Sequence, residues 1–183
     1  FKKFIPPLFG KFEFTDYRVV HGKTEAPLAT LTNPFQADHP DYIVEAASVS
    51  DAPASEDLEL ARIEAGEPKW GAELTEDVIP LEAGLRDVAI SQNKGCYTGQ
   101  EVIIRILHRG HVNRHLRGLR LGNHDVPAVG SEVQFNGKAV GRVTSACHSP
   151  KLSLAIALAY VRREVTPGEH VVLGDVAATV VDL

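Results

Sequence analysis

The C-terminal part of the chain is a series of short apolar segments separated by tight-turn signals, and this pattern restricts the fold more than any other feature. Val133 and Phe135 flank a glutamine and precede Asn136-Gly137, a dipeptide typical of two-residue hairpin turns. Pro167-Gly168 and Gly174-Asp175 separate later apolar segments in the same way. Five or six short strands with such turns predict a small antiparallel β-barrel.

The segment from 152 to 158 alternates large and small side chains. Leucine or isoleucine occupies every second position, and serine or alanine lies between them. Small side chains on one face suit a tightly curved sheet. Cys147 lies just before this segment, after a strand predicted over 140–145, and this position favours a structural role for its thiol.

The stretch Lys94-Gly95-Cys96-Tyr97-Thr98-Gly99-Gln100-Glu101 is the densest chemical signal in the chain. Thr98 and Glu101 have the spacing of a capping box, which predicts a helix that begins at Gly99. Glu101 precedes Arg105 by four residues, the favourable orientation for a helical ion pair. Gly110 is predicted to end this helix. Its apolar face consists of Val102, Ile103, Ile106 and Leu107.

Cys96 therefore lies just before a predicted helix N-terminus, with Lys94 two residues away. The positive end of a helix and a nearby ammonium group both favour a thiolate over a thiol. The alternative is that Cys96 is a small buried hydrophobic residue, as free cysteines often are.

Upstream segments are less regular. We predict one or two strands over Phe1–Val20, a loop over Gly22–Pro40 and a short strand within Asp41–Val49. A helix is predicted to begin at Ser55 and to end at Gly66, since a serine cap and a glycine followed by proline are typical helix boundaries.

Charge is distributed unevenly, although the net charge is only -5. Acidic residues dominate from 41 to 87, whereas none occurs between Glu101 and Asp125. The favoured interpretation is a basic face that offsets the acidic segment within one fold. The alternative is a site for an anion such as a polyglutamyl tail, a phosphate or RNA. No aromatic residues are interleaved with these arginines, which disfavours RNA binding by base stacking. The arginines are Arg105, Arg109, Arg114, Arg117 and Arg120.

Several classes of protein are disfavoured. No run of about 18 apolar residues is present, so no membrane partner is predicted. Two cysteines form neither a disulfide framework nor a four-ligand metal site, and a reducing, cytoplasmic location is expected. His108, His111 and His115 have suggestive spacing, but Gly110 interrupts their helix, and no metal site is predicted. The chain begins at Phe1 and has no methionine, which indicates a fragment or processed form.

Three motifs resemble those of a known family. The stretch from Lys94 to Glu101 is similar to the K-G-C-Y-x-G-Q-E signature of the YgfZ family. That family comprises folate-binding proteins that support iron–sulfur enzymes, and it is related to the aminomethyltransferase (T-protein) of the glycine cleavage system. Residues 62–73 resemble its R-x-E-A-G-x-P-x-x-G-x-E segment, and residues 80–85 its P-x-E-A-G-L segment.

The resemblance implies an α+β, aminomethyltransferase-like folate-binding fold. Residues 1–112 would form a partial N-terminal α/β portion that ends in the Cys96 helix, and residues 113–183 the C-terminal β-barrel. The implied cofactor is tetrahydrofolate or a one-carbon derivative, bound in a central opening.

The resemblance also implies a set of ligand-contacting residues. Glu64 and Trp70 match positions that approach the folate in relatives, and the carboxylate of Glu82 could accept hydrogen bonds from a pterin edge. Each has a structural alternative: Glu64 as a surface carboxylate at a helix C-terminus, Trp70 as a core or hinge residue, and Glu82 as a helix cap.

Around the thiol, the resemblance makes Cys96 the key residue, with Lys94 supplying positive potential. Tyr97, Gln100 and Glu101 would shape the site or hold the helix turn. The implied function is a tetrahydrofolate-binding accessory protein. It would support iron–sulfur cluster assembly or repair in client enzymes, including those that modify tRNA, together with assembly proteins. The alternative is a folate-dependent aminomethyltransferase.

Overall fold

The computed structural model describes residues 17–21, 29–31, 41–45 and 55–183. The chain divides into two compact units, residues 1–54 and 55–183. None of the helices in these described ranges is both long and apolar enough to cross a bilayer. The predicted boundary at residues 112 and 113 stays a prediction.

The first unit contains a three-stranded antiparallel sheet in the order β1-β3-β2. Its strands are β1 (Tyr17–His21), β2 (Ala29–Leu31) and β3 (Asp41–Glu45). Strand β3 confirms the predicted strand within Asp41–Val49. The loop predicted over Gly22–Pro40 is wrong at β2, because pairing with β3 makes this three-residue segment a strand. The part of the strands predicted over Phe1–Val20 that precedes Tyr17 lies outside the described residues.

The second unit begins with helices. Helix α1 (Ser55–Glu64) has the predicted start and ends two residues before the predicted stop, Gly66, which has a φ of 70°. Helix α2 (Arg86–Ala89) is a single turn that the sequence patterns do not predict. Helix α3 (Gln100–Arg109) leads into the barrel, and the backbone N–H of Gly110 donates to the carbonyl of Ile106 at its end, as predicted.

Six antiparallel strands form a closed barrel in the order β4-β7-β6-β5-β8-β9, and β4 and β9 close it. This confirms the predicted antiparallel barrel. Asn136 and Gly137 have φ values of 51° and 73°, as a two-residue type I′ hairpin turn requires. The strands are β4 (Arg114–Leu121), β5 (Glu132–Phe135), β6 (Lys138–Ser149), β7 (Leu154–Arg162), β8 (His170–Leu173) and β9 (Val176–Val181).

Strand β7 is buried on both faces, and the large–small alternation explains how. Its alanines, Ala155, Ala157 and Ala159, belong to the core inside the barrel. Ile156, Leu158 and Tyr160 belong to a second cluster outside the barrel, together with residues of α1 and of the segment that follows it. Small residues inside permit a narrow barrel, while large residues outside bind the helical layer to it.

Cys147 lies within β6, not after a strand as predicted, because β6 continues to Ser149. Its thiol is half-buried and packs against the outer cluster. Burial, together with the charge of Glu64, raises the pKa of this thiol.

A buried ion pair links α1, the segment after it and the barrel. Glu73 is fully buried, and its Oε2 accepts a hydrogen bond from Arg62 Nη1 at 3.0 Å. Its Oε1 accepts one from Ser145 Oγ at 2.6 Å, and Arg62 Nη2 donates to the same Oγ at 2.8 Å. The hydroxyl of Tyr160 donates to the Glu73 carbonyl at 3.0 Å. We call Arg62, Glu73 and Ser145 the clamp. Arg62 and Glu73 are the first and last residues of the R-x-E-A-G-x-P-x-x-G-x-E segment, so part of that motif has a structural role.

Candidate functional site

Cys96 is exposed, in the irregular segment that precedes α3. The helix begins at Gln100, and Gly99 is its N-cap, with a φ of 87°. The predicted capping box is wrong: no side chain caps this helix, because the left-handed conformation of Gly99 replaces the extended backbone that a Thr98 cap requires. Cys96 therefore lies three residues before the N-cap, with its side chain accessible to solvent.

Local contacts order the residues around this thiol. The ammonium of Lys94 lies 4.9 Å from the centroid of the Tyr97 ring. The backbone N–H of Gln100 donates to the Tyr97 carbonyl at 3.2 Å. Glu101 accepts a hydrogen bond from Arg105 at 2.7 Å, which confirms the predicted ion pair. These contacts hold the turn and the first turn of α3, and within residues 55–183 the ammonium of Lys94 contacts an aromatic ring and no carboxylate.

The apolar face of α3 is only partly covered. Ile103 is buried, whereas Ile106 and Leu107 are half-buried and Val102 is 47% exposed. Arg105 and Arg109 are exposed on the other face, as predicted. The helix that follows Cys96 thus has an amphipathic surface that the described part of the chain leaves partly open.

Glu64, the last residue of α1, has an exposed side chain. Its Oε1 accepts a hydrogen bond from the hydroxyl of Ser149, a fully buried residue at the end of β6. Among the described residues, Oε2 makes no hydrogen bond. Glu64 also lines a cavity of about 140 Å³ beside β4 and the end of the chain. The carboxylate is therefore held in place by one oxygen while the other is available to a ligand.

Sequence reasoning missed Ser149. It lies 85 residues from Glu64 and contacts it only because β6 passes the end of α1. No local pattern connects two residues so far apart in the chain, and Ser149 has no distinguishing neighbours in the sequence.

Trp70 is 70% exposed, which contradicts the alternative of a core position. It forms an isolated backbone bridge with Leu74 in the turn that follows α1. An indole ring with this exposure is available for contact with a ligand or a partner.

Glu82 is buried, and its carboxylate is already engaged. Its Oε2 accepts hydrogen bonds from Arg114 Nε at 3.0 Å and from the backbone N–H of Ile79 at 3.3 Å. Its carbonyl accepts from the backbone N–H of Leu116 at 2.8 Å. Glu82 thus caps a turn, not a helix, and fixes this segment to β4.

These residues form separate groups. Among residues 55–183, no hydrogen bond, ion pair or ring contact joins the segment from Lys94 to Glu101 with Glu64, Trp70 or Glu82. The structure places the thiol at the start of α3, Glu64 at the end of α1 and Glu82 beneath Arg114. Their roles toward a ligand stay predictions.

The arginines of the basic span are in large part paired with acids. Arg105 pairs with Glu101 and Arg117 with Asp182. Arg114 pairs with Glu82, a member of the acidic segment. Of these pairs, Arg114–Glu82 joins the basic span to the acidic segment, and it supports the interpretation in which the two segments offset each other within one fold.

The histidines of this span are not arranged as ligands. In the described ranges, no group of three or more histidine, cysteine, aspartate or glutamate side chains is placed to hold a metal ion. His115 lies on β4, where burial and the neighbouring charge of Arg117 lower its pKa.

Comparison with known families identifies the barrel. Residues 114–183 match the model of the glycine cleavage T-protein C-terminal barrel domain. The crystal structure of glycine cleavage system aminomethyltransferase T from Bartonella henselae superposes with a TM-score of 0.68 at 22% identity. The superposition covers 79% of this chain and 45% of that one. The predicted aminomethyltransferase-like fold is confirmed.

Several curated relatives are named aminomethyltransferase. The aminomethyltransferase of Halothermothrix orenii is 34% identical over 113 residues, which are 61% of this chain and 31% of that protein. The aminomethyltransferase of Bacillus subtilis is 35% identical over 105 residues, which are 57% of this chain and 29% of that protein. The chain thus spans about a third of the length of the curated relatives that it matches. These relatives support a T-protein-like chain, whereas membership of the YgfZ family stays a prediction.

Proposed function

We propose that this chain is part of a T-protein-like protein that binds tetrahydrofolate or a one-carbon derivative. The observation that carries the proposal is the geometry of Glu64. Its exposed carboxylate is oriented by buried Ser149 through Oε1 and leaves Oε2 open. A carboxylate oxygen with this freedom can accept a hydrogen bond from an N–H group of a pterin.

The described residues fit such a ligand in part. Glu64 offers the acceptor, and exposed Trp70 offers an aromatic surface. Glu82 fits less well, since Arg114 and Ile79 already occupy its Oε2. In this proposal Glu64 and Trp70 hold the folate, while Glu82 acts indirectly by fixing the segment that leads to Cys96. The bound folate would act as the carrier of a one-carbon group at this site.

A titration of the chain with tetrahydrofolate tests the binding role of Glu64. Trp70 is the only tryptophan, so its fluorescence reports binding near it. We expect saturable quenching, and a roughly tenfold weaker affinity for Glu64→Gln, the order of magnitude for loss of one hydrogen bond to a charged group. Asp175→Asn, an equal change of charge in the exposed turn before β9, serves as the control. Absence of saturable quenching, or an equal loss with Asp175→Asn, would contradict the proposal.

The finer proposal is that Cys96 is the working thiol of an accessory protein for iron–sulfur enzymes, including enzymes that modify tRNA. Its support is the exposure of Cys96 beside Lys94 in the K-G-C-Y-x-G-Q-E stretch. An accessible thiol near a cation can act as a nucleophile or as a transient ligand for iron. The partly open face of α3 provides a surface next to the thiol for a client or assembly protein.

Complementation of a host that lacks the protein, with the variants expressed in its cytoplasm, tests this finer proposal. We expect Cys96→Ala to lose most of the restored iron–sulfur enzyme activity, while the matched variant Cys147→Ala retains it. Equal expression of both variants is checked by immunoblot. Full rescue by Cys96→Ala would remove the thiol from the function and would leave the folate proposal intact.

A second candidate function is folate-dependent aminomethyl transfer, which is favoured by the names of the relatives from Halothermothrix orenii and Bacillus subtilis. This chemistry requires an acid or base near N5 of the folate and a docking surface for the one-carbon donor. Formation of methylene-tetrahydrofolate from a lipoyl-carrier donor is the direct assay. Turnover that survives Cys96→Ala would favour this function over the accessory role.

A further inference from the structure

A second cavity, of about 330 Å³, opens on the outer face of the barrel. Its size is at the lower end of the range of about 300–1,000 Å³ that is typical of ligand pockets. Three arginines line it together with one glutamate. We call it the arginine groove, and its principal lining residues are Arg114, Glu132, Gly141, Arg142, Tyr160 and Arg162.

Strand register explains why the three arginines meet. Arg114 of β4 pairs with Arg162 of β7, and Arg142 of β6 pairs with Tyr160 of β7. Tyr160 precedes Arg162 by two residues, so all of these side chains project from the same face of the sheet. Directly opposed positions are about 5 Å apart and diagonal ones about 7–8 Å, at which distance like charges repel. Repulsion among the arginines lowers stability unless acidic neighbours or a bound anion offset it.

Arg114 forms a fixed wall of the groove. Its Nε donates to Glu82 at 3.0 Å, and its Nη2 donates to the carbonyl of Asp77 at 3.1 Å. Its guanidinium lies 4.9 Å from the centroid of the Tyr160 ring. Because Arg114 is already held by three contacts, a ligand that binds it need not pay the entropic cost of ordering a long side chain.

Arg142 and Arg162 retain their binding capacity. Within residues 55–183, the guanidinium of Arg142 makes no described hydrogen bond or ion pair. Arg162 has Glu164 at 4.0 Å, and both of these side chains are more than half exposed. Glu132 opposes Arg142 across β5 and β6 and accepts a hydrogen bond from Gln134 at 2.8 Å. Glu82 pairs with Arg114, and exposed Glu164 lies at 4.0 Å from Arg162. The guanidinium of Arg142, unpaired within this described range, and the loosely paired one of Arg162 are therefore the groups most able to bind an anion in this concave site.

We propose that the arginine groove binds a small molecule with two oxyanion groups, of which diphosphate is the simplest example. The planar forks of Arg142 and Arg162 can each donate two parallel hydrogen bonds to a phosphate or a carboxylate. Arg114, whose Nε and Nη2 are already engaged, can donate from Nη1. One oxyanion lies between Arg114 and Arg162, and the second is held by Arg142. The site is distinct from Cys96 and Glu64, and it does not depend on the proposed folate-binding function.

Isothermal titration of the whole chain with diphosphate, in low salt, tests the proposal. Citrate in a parallel titration distinguishes a polycarboxylate ligand from a phosphate ligand. Arg142→Gln and Arg162→Gln each remove one fork, and Arg163→Gln makes the same change of charge at the neighbouring residue outside the groove. Arg114 is left unchanged because it supports Glu82. Circular dichroism establishes that each variant is folded.

We expect saturable binding of diphosphate or citrate, and the stronger of the two identifies the ligand class. Arg142→Gln and Arg162→Gln should each weaken it about tenfold, as expected for loss of charge-assisted hydrogen bonds, whereas Arg163→Gln should change it by less than about twofold. Bound ligand should also protect Arg142 and Arg162 from an arginine-selective dicarbonyl reagent. Failure of both ligands to bind, or equal weakening by Arg163→Gln, would overturn the proposal.

Discussion

The two cysteines have opposite environments. Cys96 is exposed in an irregular segment, whereas Cys147 is half-buried in β6, where burial and the nearby charge of Glu64 raise its pKa. The thiolate is the reactive species, so a raised pKa and restricted access both slow alkylation. The reactivities of the two thiols can therefore be compared within one sample of the chain.

Iodoacetamide should therefore modify Cys96 at least about tenfold faster than Cys147 near pH 8. Mass spectrometry of the two cysteine peptides over time gives both rates in one sample. Cys96→Ser should leave the rate at Cys147 unchanged. Equal rates in the native chain would show that the segment from Lys94 to Glu101 does not expose its thiol in solution.

His115 should make stability depend on pH. Its pKa is lowered in the folded chain by burial and by Arg117, partly offset by Asp182 and Glu82. As the pH falls through the ordinary histidine pKa of 6.5, His115 is therefore protonated in the unfolded chain before it is protonated in the folded chain. The free energy of unfolding consequently falls as the pH falls. The loss is small because His115 is only partly buried and water screens Arg117.

Urea unfolding between about pH 7.5 and 5.5, followed by circular dichroism, measures this effect. His115→Gln should lose part of the decrease in stability that the native chain shows on acidification. His111→Gln, at an exposed position, should retain it. An unchanged pH dependence in His115→Gln would assign the decrease to other groups.

At the scale of elements, the clamp connects α1 to the barrel alongside the outer apolar cluster and the Glu64–Ser149 hydrogen bond. Glu73→Gln leaves the charge of Arg62 buried without its ionic partner. We expect a loss of about 3 kcal/mol in the free energy of unfolding, at the low end for a broken buried ion pair. The low end applies because Arg62 also pairs with Glu59 at 2.8 Å.

Denaturant unfolding of Glu73→Gln and of a control measures this loss. Asp87→Asn is the control, since Asp87 pairs with Arg86 only at 3.9 Å and both are exposed. That change should cost less than about 0.5 kcal/mol. Similar losses in the two variants would indicate that the clamp contributes no more than a surface pair.

Gly141 of β6 has no room for a side chain beside β7. A Cβ atom at this position would lie 2.0 Å from the carbonyl oxygen of Tyr160, which belongs to the paired strand and cannot move aside. Gly141→Ala should therefore cost at least about 2 kcal/mol, measured by denaturant unfolding. Gly95→Ala, where a Cβ meets no atom within 4 Å, should be nearly neutral. Equal stabilities would mean that β6 and β7 separate more easily than this register indicates.

The elements that sequence reasoning identified are those with a local signal. Asn136-Gly137 specifies a turn by backbone preference, and the alternation in β7 specifies a strand by period. Strand β2 was missed because it forms through pairing with β3, and α2 because a single helical turn has no usable period. The capping box failed because Gly99 provides a competing backbone conformation.

The candidate site shows the same division. The exposed Cys96 and the Glu101–Arg105 pair follow from neighbouring residues in the sequence. The contact between Ser149 and Glu64 and the arginine groove depend on strand register, which no motif in this chain encodes. Sequence patterns thus indicated which side chains carry chemistry, while the topology decided which of them meet.

At the scale of the whole molecule, neighbouring strands of the barrel differ in how many residue pairs join them. Strand β7 pairs along its length with both β4 and β6 and is covered on both faces. Strands β5 and β8, by contrast, share one register pair, Gln134 with Val172. Local opening requires least free energy where few pairs and little buried surface are lost.

Hydrogen exchange should therefore protect β7 longest among the barrel strands, and β5 and β8 should exchange at least about tenfold faster. Mass spectrometry of peptic peptides during exchange measures these rates. Peptides that end on either side of β5 are compared, so that the exchange of its amides is separated from that of neighbouring segments. Equal protection of β5 and β7 would show that the barrel opens only as a single unit.

The two-sided burial of β7 has a practical consequence for anyone who wishes to label or fuse this molecule. A strand with hydrocarbon on each face has no position at which a dye, a tag or an inserted peptide can be accommodated without displacing packed atoms. The turn at Gly174-Asp175 is exposed and joins the last two strands. A probe attached there would leave the thiol, the clamp and the arginine groove free for measurement.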